Sequence, residues 1–307
     1  MAIRFITMHV RILIATVLLV AACSKPAEQA APPPTGEEWV KSVNAWRTKH
    51  ETDYRRDWAT IAGLHFLSPG AHTLGSDKSS EIVLPSDLPA DVGKLVVADG
   101  WVRYQPAAGV MPSQNGKPVT GPVVLKEPGK DAADEVSVAD VKFAVHESGP
   151  RLSLRVWDPD GKQAHEFAGF DWFTIDPKYR VVARFIPDAQ PKSVPVVNTY
   201  GDEDVMATEG VVEFTLNGET VRMRPFTTRP KRFYFVFRDG SSGHETYETA
   251  RFLYSDLLDD GTTVLDFNQA YNPPCAFNPY TTCPIPLKEN RLAVKILAGE
   301  KAYRGHE

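Results

Sequence analysis

Residues 212–223 read Val-Glu-Phe-Thr-Leu-Asn-Gly-Glu-Thr-Val-Arg-Met, two runs of alternating apolar and polar residues that meet at Asn217-Gly218. Asn-Gly is a preferred centre for a two-residue β-turn, because both central positions adopt positive φ angles. The alternation places Val212, Phe214 and Leu216 on one face, and the apolar residues of the second run continue that face. The stretch therefore predicts an antiparallel β-hairpin with one buried face.

A second hairpin signal lies upstream, where Lys94–Ala98 and Trp101–Tyr104 flank Asp99-Gly100, a dipeptide with the same turn preference. Seven further runs favour extended structure: Val136–Val145, Leu152–Trp157, Val181–Ile186, Arg232–Phe237, Arg251–Tyr254, Val264–Phe267 and Leu292–Leu297. Gly, Pro, Asn and Asp interrupt the chain about every ten residues, which is typical of antiparallel β proteins. The sequence predicts a mainly β fold with antiparallel, sandwich-like or barrel-like sheets.

One helix is predicted, near the start of the folded part. Thr35-Gly-Glu-Glu38 is a capping-box pattern, and Trp39, Val43, Trp46 and His50 follow at helical spacings of four, three and four. We expect a helix over residues 37–55 that packs on the first sheet as a clamp.

The first 22 residues have the pattern of a secretory signal. Ile12–Val20 is a short apolar run, too short to span a membrane at the usual length of about 20 residues. Val20-Ala21-Ala22-Cys23 follows and resembles the bacterial lipobox, which implies that residues 1–22 are a lipoprotein signal peptide and that Cys23 is lipidated. Ser24 after the cysteine implies an outer-membrane lipoprotein facing the periplasm.

The remainder divides by composition. Residues 23–36 are rich in Pro and Ala and predict a solvated tether. Residues 37–148 are predicted to form the helix plus an N-terminal β-sandwich-like part, and residues 149–307 a C-terminal β domain with a Pro/Cys-rich loop. Removing the two arginines of residues 1–22 takes the formal charge from −5 to −7. An acidic protein of this kind is not expected to bind nucleic acid.

The densest chemistry lies in residues 265–286, Leu-Asp-Phe-Asn-Gln-Ala-Tyr-Asn-Pro-Pro-Cys-Ala-Phe-Asn-Pro-Tyr-Thr-Thr-Cys-Pro-Ile-Pro, followed by Glu289-Asn290-Arg291. Together with Gly63-Leu64 and the segment from Tyr247 to Leu253, this run resembles the bacterial family known as domain of unknown function 1684. The resemblance implies no activity, because the family has none assigned. The family pattern implies an arginine at position 269, where this chain has Gln269, so an anion contact made there would be lost or moved.

Cys275 and Cys283 stand within the proline-rich part of this run. In an oxidising periplasm the simplest outcome is a disulfide, which would stabilise so short a loop by about 2–3 kcal/mol. A reactive thiol is the alternative, although no histidine lies nearby in sequence to act as a base.

The candidate ligand-binding residues are Arg155, Arg251, Asp266, Asn268, Tyr271, Asn272 and Arg291. Guanidinium groups suit carboxylates and phosphates, so convergence of these arginines would predict an anion site. The alternative is that each forms a salt bridge, with Asp158, Asp239 or Asp266 as the partner. No metal-ligand pair or cofactor fingerprint is present, so neither a metal nor a cofactor is expected.

Two functions remain open from the sequence. The first is an envelope-anchored periplasmic lipoprotein that binds a small anionic ligand or an envelope partner, attached to the membrane through Cys23. The second is a hydrolase-like enzyme that uses Asp266, Tyr271 or Cys275 and orients its substrate with arginines. We favour binding, because no nucleophile–base pair is recognisable.

Overall fold

The computed structural model describes residues 35–129 and 134–303. The predicted signal peptide, Cys23 and most of the tether lie outside the described residues. In the described part of the chain, no helix has the length and apolar character needed to cross a membrane.

Helix α1 spans Glu37–Asp57 and confirms the helix predicted over 37–55. Its N-cap is Gly36, and no side chain caps it, so the predicted capping box is not formed. Two glutamates in the first turn and two arginines in the last turn complement the helix dipole instead.

Helix α1 lies over the C-terminal residues, and it contacts the first sheet at its end, where Trp157 Nε1 donates to the Asp57 carbonyl oxygen at 3.2 Å. Trp39 Nε1 donates to Asp266 Oδ2 at 2.6 Å, and Arg47 donates to the Asn268 carbonyl oxygen at 3.1 Å. These contacts join residues more than 200 positions apart, a pairing that the helical period alone does not encode.

The N-terminal half contains two sheets built from eleven strands. One sheet has the order β3-β2-β4-β5-β8 and the other β1-β11-β10-β9-β6-β7. The strands are β1 Ile61–Phe66, β2 Gly70–Gly75, β3 Ile82–Val83, β4 Gly93–Ala98, β5 Trp101–Pro106, β6 Ser113–Gln114, β7 Lys117–Pro118, β8 Val123–Lys126, β9 Glu135–Val138, β10 Val141–Ser148 and β11 Arg151–Trp157.

The C-terminal half contains a four-stranded sheet, β14-β13-β12-β18, and a three-stranded sheet, β15-β16-β17. Its strands are β12 Arg180–Val197, β13 Glu203–Leu216, β14 Glu219–Met223, β15 Phe226–Arg229, β16 Arg232–Phe237, β17 Arg251–Asp256 and β18 Thr262–Asp266. A short helix α2, Lys162–Glu166, and 3₁₀ turns at Pro177–Tyr179, Phe267–Gln269, Pro274–Ala276 and Lys288–Asn290 complete the described elements.

Both predicted hairpins are confirmed. Val212 pairs with Met223 and Phe214 with Val221, so the apolar residues share one face as the alternation requires. The turn residues Asn217 and Gly218 have φ angles of 52° and 83°. The first hairpin is β4–β5, which turns at Asp99-Gly100 in the same way.

Two of the other predicted runs differ from the structure. Residues 136–145 form two strands rather than one, because the chain turns at Ala139, where φ is 51°. Leu292–Leu297 lies in no strand, although Val294 and Ile296 are buried. These two side chains pack into the C-terminal core without a ladder partner.

The mainly β, antiparallel prediction with one N-terminal helix is confirmed, with β2–β3 as a parallel pair. Among the described residues no sheet closes into a barrel. The predicted boundary near residues 148–150 coincides with the turn between β10 and β11, which pair from Lys142↔Trp157 to Ser148↔Arg151. The division of the chain into two parts stays a prediction.

Candidate functional site

A cavity of about 340 Å³ lies where α1, strands β16 and β17 and the loop 271–284 meet. We call it the aromatic cavity. Its lining residues are His50, Asp53, Tyr54, Trp58, Tyr234, Phe252, Tyr254, Tyr271, Asn272, Pro274, Thr282, Cys283 and Pro284. Its volume is at the lower end of the range typical of small-molecule sites.

The walls are held by ring contacts. His50 stacks on Trp46 with ring centroids 5.0 Å apart, and it meets Tyr271 at 4.5 Å. Tyr234 of β16 and Tyr254 of β17 stack with their ring centroids 4.8 Å apart. Aromatic surfaces of this kind suit a flat apolar group.

Three lining residues carry a buried polar side-chain atom without a hydrogen-bond partner among residues 35–129 and 134–303. The atoms are His50 Nε2, the Tyr54 hydroxyl oxygen and Asn272 Oδ1. A buried polar group left unpaired costs about 1–3 kcal/mol, so such groups are rare in folded proteins. All three atoms belong to residues that line the aromatic cavity.

The Asn272 amide is oriented by its neighbours. Its Nδ2 donates to Glu300 Oε1 at 2.9 Å and to the Lys301 carbonyl oxygen at 2.7 Å, and its backbone N–H donates to Glu300 Oε2 at 2.9 Å. Burial raises the pKa of Glu300 well above its ordinary range. With both amide protons committed, Oδ1 remains as an acceptor.

The histidine of the cavity is neutral at pH 7. Burial lowers the pKa of His50 to about 4, against the opposing effect of the carboxylates of Asp53 and Glu51. A neutral imidazole offers one donor and one acceptor to a ligand.

A second cavity of about 390 Å³, which we call the charged cavity, shares Tyr254 and Tyr271 with the first. Its ionic residues form two pairs: Arg232 with Asp256 at 2.8 Å and Arg180 with Asp266 at 3.3 Å. Helix α1 supplies Trp39, Ser42 and Trp46 to this cavity.

The predicted ligand residues divide between these places. Tyr271 lines both cavities, Asn272 lines the aromatic cavity, and Asp266 lines the charged cavity. Asn268 is buried beside Asp266 and donates Nδ2 to its Oδ1 at 3.0 Å. Arg291 is exposed and lines neither cavity.

Arg251 belongs to the fold. Its side chain is fully buried and pairs with Asp239 at 2.8 Å, as the salt-bridge alternative proposed. It also donates to the carbonyl oxygens of Ile296 and Ala298. Strand β17 thereby holds the C-terminal segment in place.

Arg155 has a different environment. It is 9% exposed, and its guanidinium lies about 6 Å from the ring centroids of Trp58 and Trp157, with no side-chain hydrogen bond or ion pair to any described residue. Burial lowers the pKa of Arg155 to about 10. The predicted arginines do not converge, because Arg155, Arg251 and Arg291 occupy separate places.

The cavity residues that the sequence did not predict include His50, Tyr54, Arg180 and Arg232. The sequence places His50 on the apolar-leaning face of the helix and predicts a packing role for it. The signal was present in the spacing, because Trp46, His50 and Tyr54 recur every four residues on one side of α1.

Cys275 and Cys283 are free thiols in this structure, and the loop brings them together. The backbone N–H of Cys275 donates to Cys283 Sγ at 3.3 Å. The disulfide stays a prediction. The described residues contain no group of three or more His, Cys, Asp or Glu side chains that could hold a metal ion.

Comparison with known proteins finds a match to a family that has no assigned activity. Residues 165–301 match the sequence model of a family described as "Protein of unknown function (DUF1684)". The solution NMR structure of an uncharacterized protein of Haloarcula marismortui is 30% identical, with 46% of this chain and 80% of that chain covered and a TM-score of 0.38. No curated protein matches the chain.

Proposed function

Because the chain carries a domain of the DUF1684 family, whose function is unknown, we propose a function from its own cavity: it binds a small ligand in the aromatic cavity. The ligand has a flat apolar body and hydrogen-bonding groups at its edge. The aromatic walls accommodate the body, and the polar atoms of His50, Tyr54 and Asn272 bind the edge.

The three unpartnered polar atoms carry this proposal. A closed core of the same composition would pair them, because leaving each one buried and unpaired costs about 1–3 kcal/mol. A ligand that supplies complementary groups, after small side-chain adjustments, recovers this cost. Sites built to hydrogen-bond a ligand keep such atoms free for it.

The anionic character expected from the sequence is part of the proposal. We assign the binding of an anionic group on the ligand to Arg155. Its guanidinium lies beside Trp58, a residue of the cavity wall, and it has no carboxylate partner among the described residues. The lining carboxylate, Asp53, already pairs with Lys49 and Arg56 on the exposed side of α1.

A hydrolase is the alternative. Asp266 accepts hydrogen bonds from Trp39 and Asn268, and Cys275 accepts one from Tyr247. No hydrogen bond joins Asp266, Tyr271 or Cys275 to a histidine within residues 35–129 and 134–303. Binding without chemistry is therefore the function we propose.

The place of action is proposed from the sequence: a lipoprotein of the outer membrane that faces the periplasm, anchored through Cys23. Substituting Cys23→Ser in the full chain should move the protein from the membrane fraction to the soluble periplasmic fraction and abolish lipid labelling. Lipid labelling that persists in this variant would contradict the anchor.

The ligand site is tested by a thermal-shift screen with matched aromatic carboxylates and aromatic amides. A compound present at 100 times its Kd stabilises the protein by about 2.7 kcal/mol, which corresponds to a shift of roughly 5–10 °C. Tyr54→Phe should reduce the affinity about five- to tenfold, because it removes one hydrogen bond. Tyr104→Phe, which lies in the N-terminal core, is the matched control.

The outcomes separate the alternatives. A bound compound that is recovered unchanged supports binding, and recovery of a cleaved product supports the hydrolase. An equal loss of affinity in both tyrosine variants, or binding that Tyr54→Phe does not alter, places the ligand elsewhere. Preference for the carboxylates over the amides supports the role of Arg155.

A further inference from the structure

The loop that closes the aromatic cavity brings two thiols into contact. Cys283 is buried and lines the cavity, and Cys275 is half-buried. The backbone N–H of Cys275 donates to Cys283 Sγ at 3.3 Å, and the two thiols lie close enough to shift each other's pKa. They lie on the loop 271–284, a segment of 3₁₀ turn and extended chain that four prolines restrict.

Hydrogen bonds fix the backbone on which the two cysteines lie. Thr199 donates its N–H to the Cys283 carbonyl oxygen at 2.9 Å, and its hydroxyl oxygen accepts from the Cys283 N–H at 3.3 Å. Asn278, between the two cysteines, donates to the carbonyl oxygens of Trp58 and Ile61. The sulfur atoms therefore stay close without a covalent bond.

The two thiols have unequal environments. The Tyr247 hydroxyl donates to Cys275 Sγ at 3.8 Å. Hydrogen bonding from Cys283 lowers the pKa of Cys275 against the effect of burial, and Tyr247 lowers it further. Burial raises the pKa of Cys283. Cys275 therefore ionises more readily and is the more accessible thiol, whereas Cys283 is sheltered from solvent.

Arg155 is a cation within electrostatic range of the sheltered thiol, Cys283. No carboxylate is among the groups of the described part of the chain that shift the pKa of Arg155. A positive charge beside a thiol favours its thiolate. Arg155 can therefore stabilise the anion that Cys283 must become to attack.

We propose that Cys275 and Cys283 are a reversible dithiol–disulfide couple in which Cys275 attacks and Cys283 resolves. The oxidant is a low-molecular-weight disulfide. The Cys275 thiolate attacks one sulfur of this disulfide, forms a mixed disulfide and releases one thiolate, which takes up the Cys283 proton. The Cys283 thiolate then attacks Cys275 Sγ, forms the Cys275–Cys283 bond and releases the second thiolate, which takes up from water the proton that Cys275 lost when it ionised. Two protein thiols are oxidised and one disulfide is reduced to two thiols.

Tyr247 and Arg155 are positioning residues in this proposal, since neither exchanges a bond. Other titratable side chains that interact with the pair are Tyr54, Tyr200, Tyr234 and Tyr271. Burial raises the pKa of each of these tyrosines above the neutral range, so they stay protonated while the thiols titrate.

The test is alkylation of the reduced, folded protein with iodoacetamide between pH 5 and 10, read by peptide mass spectrometry. Cys275 should react at least tenfold faster than Cys283 at pH 7. Tyr247→Phe should move the midpoint of the Cys275 rate profile to higher pH, and the matched control Tyr104→Phe should not. Faster reaction of Cys283, or a profile that Tyr247→Phe leaves unchanged, would overturn the assignment of roles.

Glutathione disulfide tests the couple itself. The wild type should gain an internal disulfide, with a loss of two hydrogen masses. Cys283→Ser should accumulate a glutathione adduct on Cys275, and Cys275→Ser should accumulate little on Cys283. Failure of the wild type to form the internal disulfide refutes the proposal. These measurements use no cavity ligand, so they succeed or fail independently of the ligand screen.

Discussion

Removing the Tyr54 hydroxyl should stabilise the ligand-free protein. The ring of Tyr54 packs against Phe167 at 4.6 Å and Phe277 at 5.2 Å, and a phenylalanine keeps these contacts. The hydroxyl oxygen has no partner among the described residues, and burial raises the pKa of Tyr54. Replacing an unpaired buried hydroxyl by hydrogen relieves a desolvation cost of about 1–3 kcal/mol.

The matched comparison is Tyr104→Phe, which should change the free energy of unfolding in the opposite direction. Tyr104 is also buried, but its hydroxyl donates to the Val92 carbonyl oxygen at 2.7 Å. Losing that bond should lower the free energy of unfolding by about 1 kcal/mol. The two variants make the same chemical change, so they should differ from each other by about 2 kcal/mol or more.

Guanidinium chloride unfolding, followed by fluorescence of the tryptophans, measures both variants. We expect the midpoint of Tyr54→Phe to lie above that of the wild type and the midpoint of Tyr104→Phe to lie below it, with equal slopes. If Tyr54→Phe loses as much stability as Tyr104→Phe, its hydroxyl has a partner. The inference of a binding site from unpaired atoms would then be wrong.

Lowering the pH from 6.5 to 4 should destabilise the protein, because the unfolded chain protonates His50 while burial holds its folded pKa at about 4, a loss of up to about 3 kcal/mol. His50→Leu should reduce the slope of that part of the stability–pH curve measured by urea unfolding, and the slope that remains comes from His146, whose pKa burial also lowers to about 4. Arg251→Met should cost about 3–5 kcal/mol by leaving Asp239 charged and buried, whereas Lys231→Met on the surface should change the unfolding midpoint by less than about 1 kcal/mol. Gly299→Ala should lower the melting temperature strongly, since φ is +79° there and a Cβ would lie 2.2 Å from the Ala270 carbonyl oxygen.

Part of the candidate site could be predicted from the sequence. Tyr271, Asn272 and the two cysteines stand in a run whose prolines exclude helix and central strand, so an ordered polar loop was expected there. The partners of that loop could not be predicted. Arg155 and Arg251 both lie in or next to apolar runs of the sequence. In the structure Arg251 pairs with Asp239 in the core, whereas Arg155 has no ionic partner among the described residues.

The sequence by itself determined the local elements. Alternation with Asn-Gly and Asp-Gly turns determined two hairpins, and a 3.6-residue period determined α1, because these patterns act over distances of a few residues. Only the tertiary structure decided that α1 lies over the C-terminal loop, so that Tyr54 and Asn272 line one cavity. Unpaired polar atoms, buried ion pairs and contacting thiols arise from packing between residues far apart in the chain. No local period encodes that packing, which is why the site is visible only in the folded molecule.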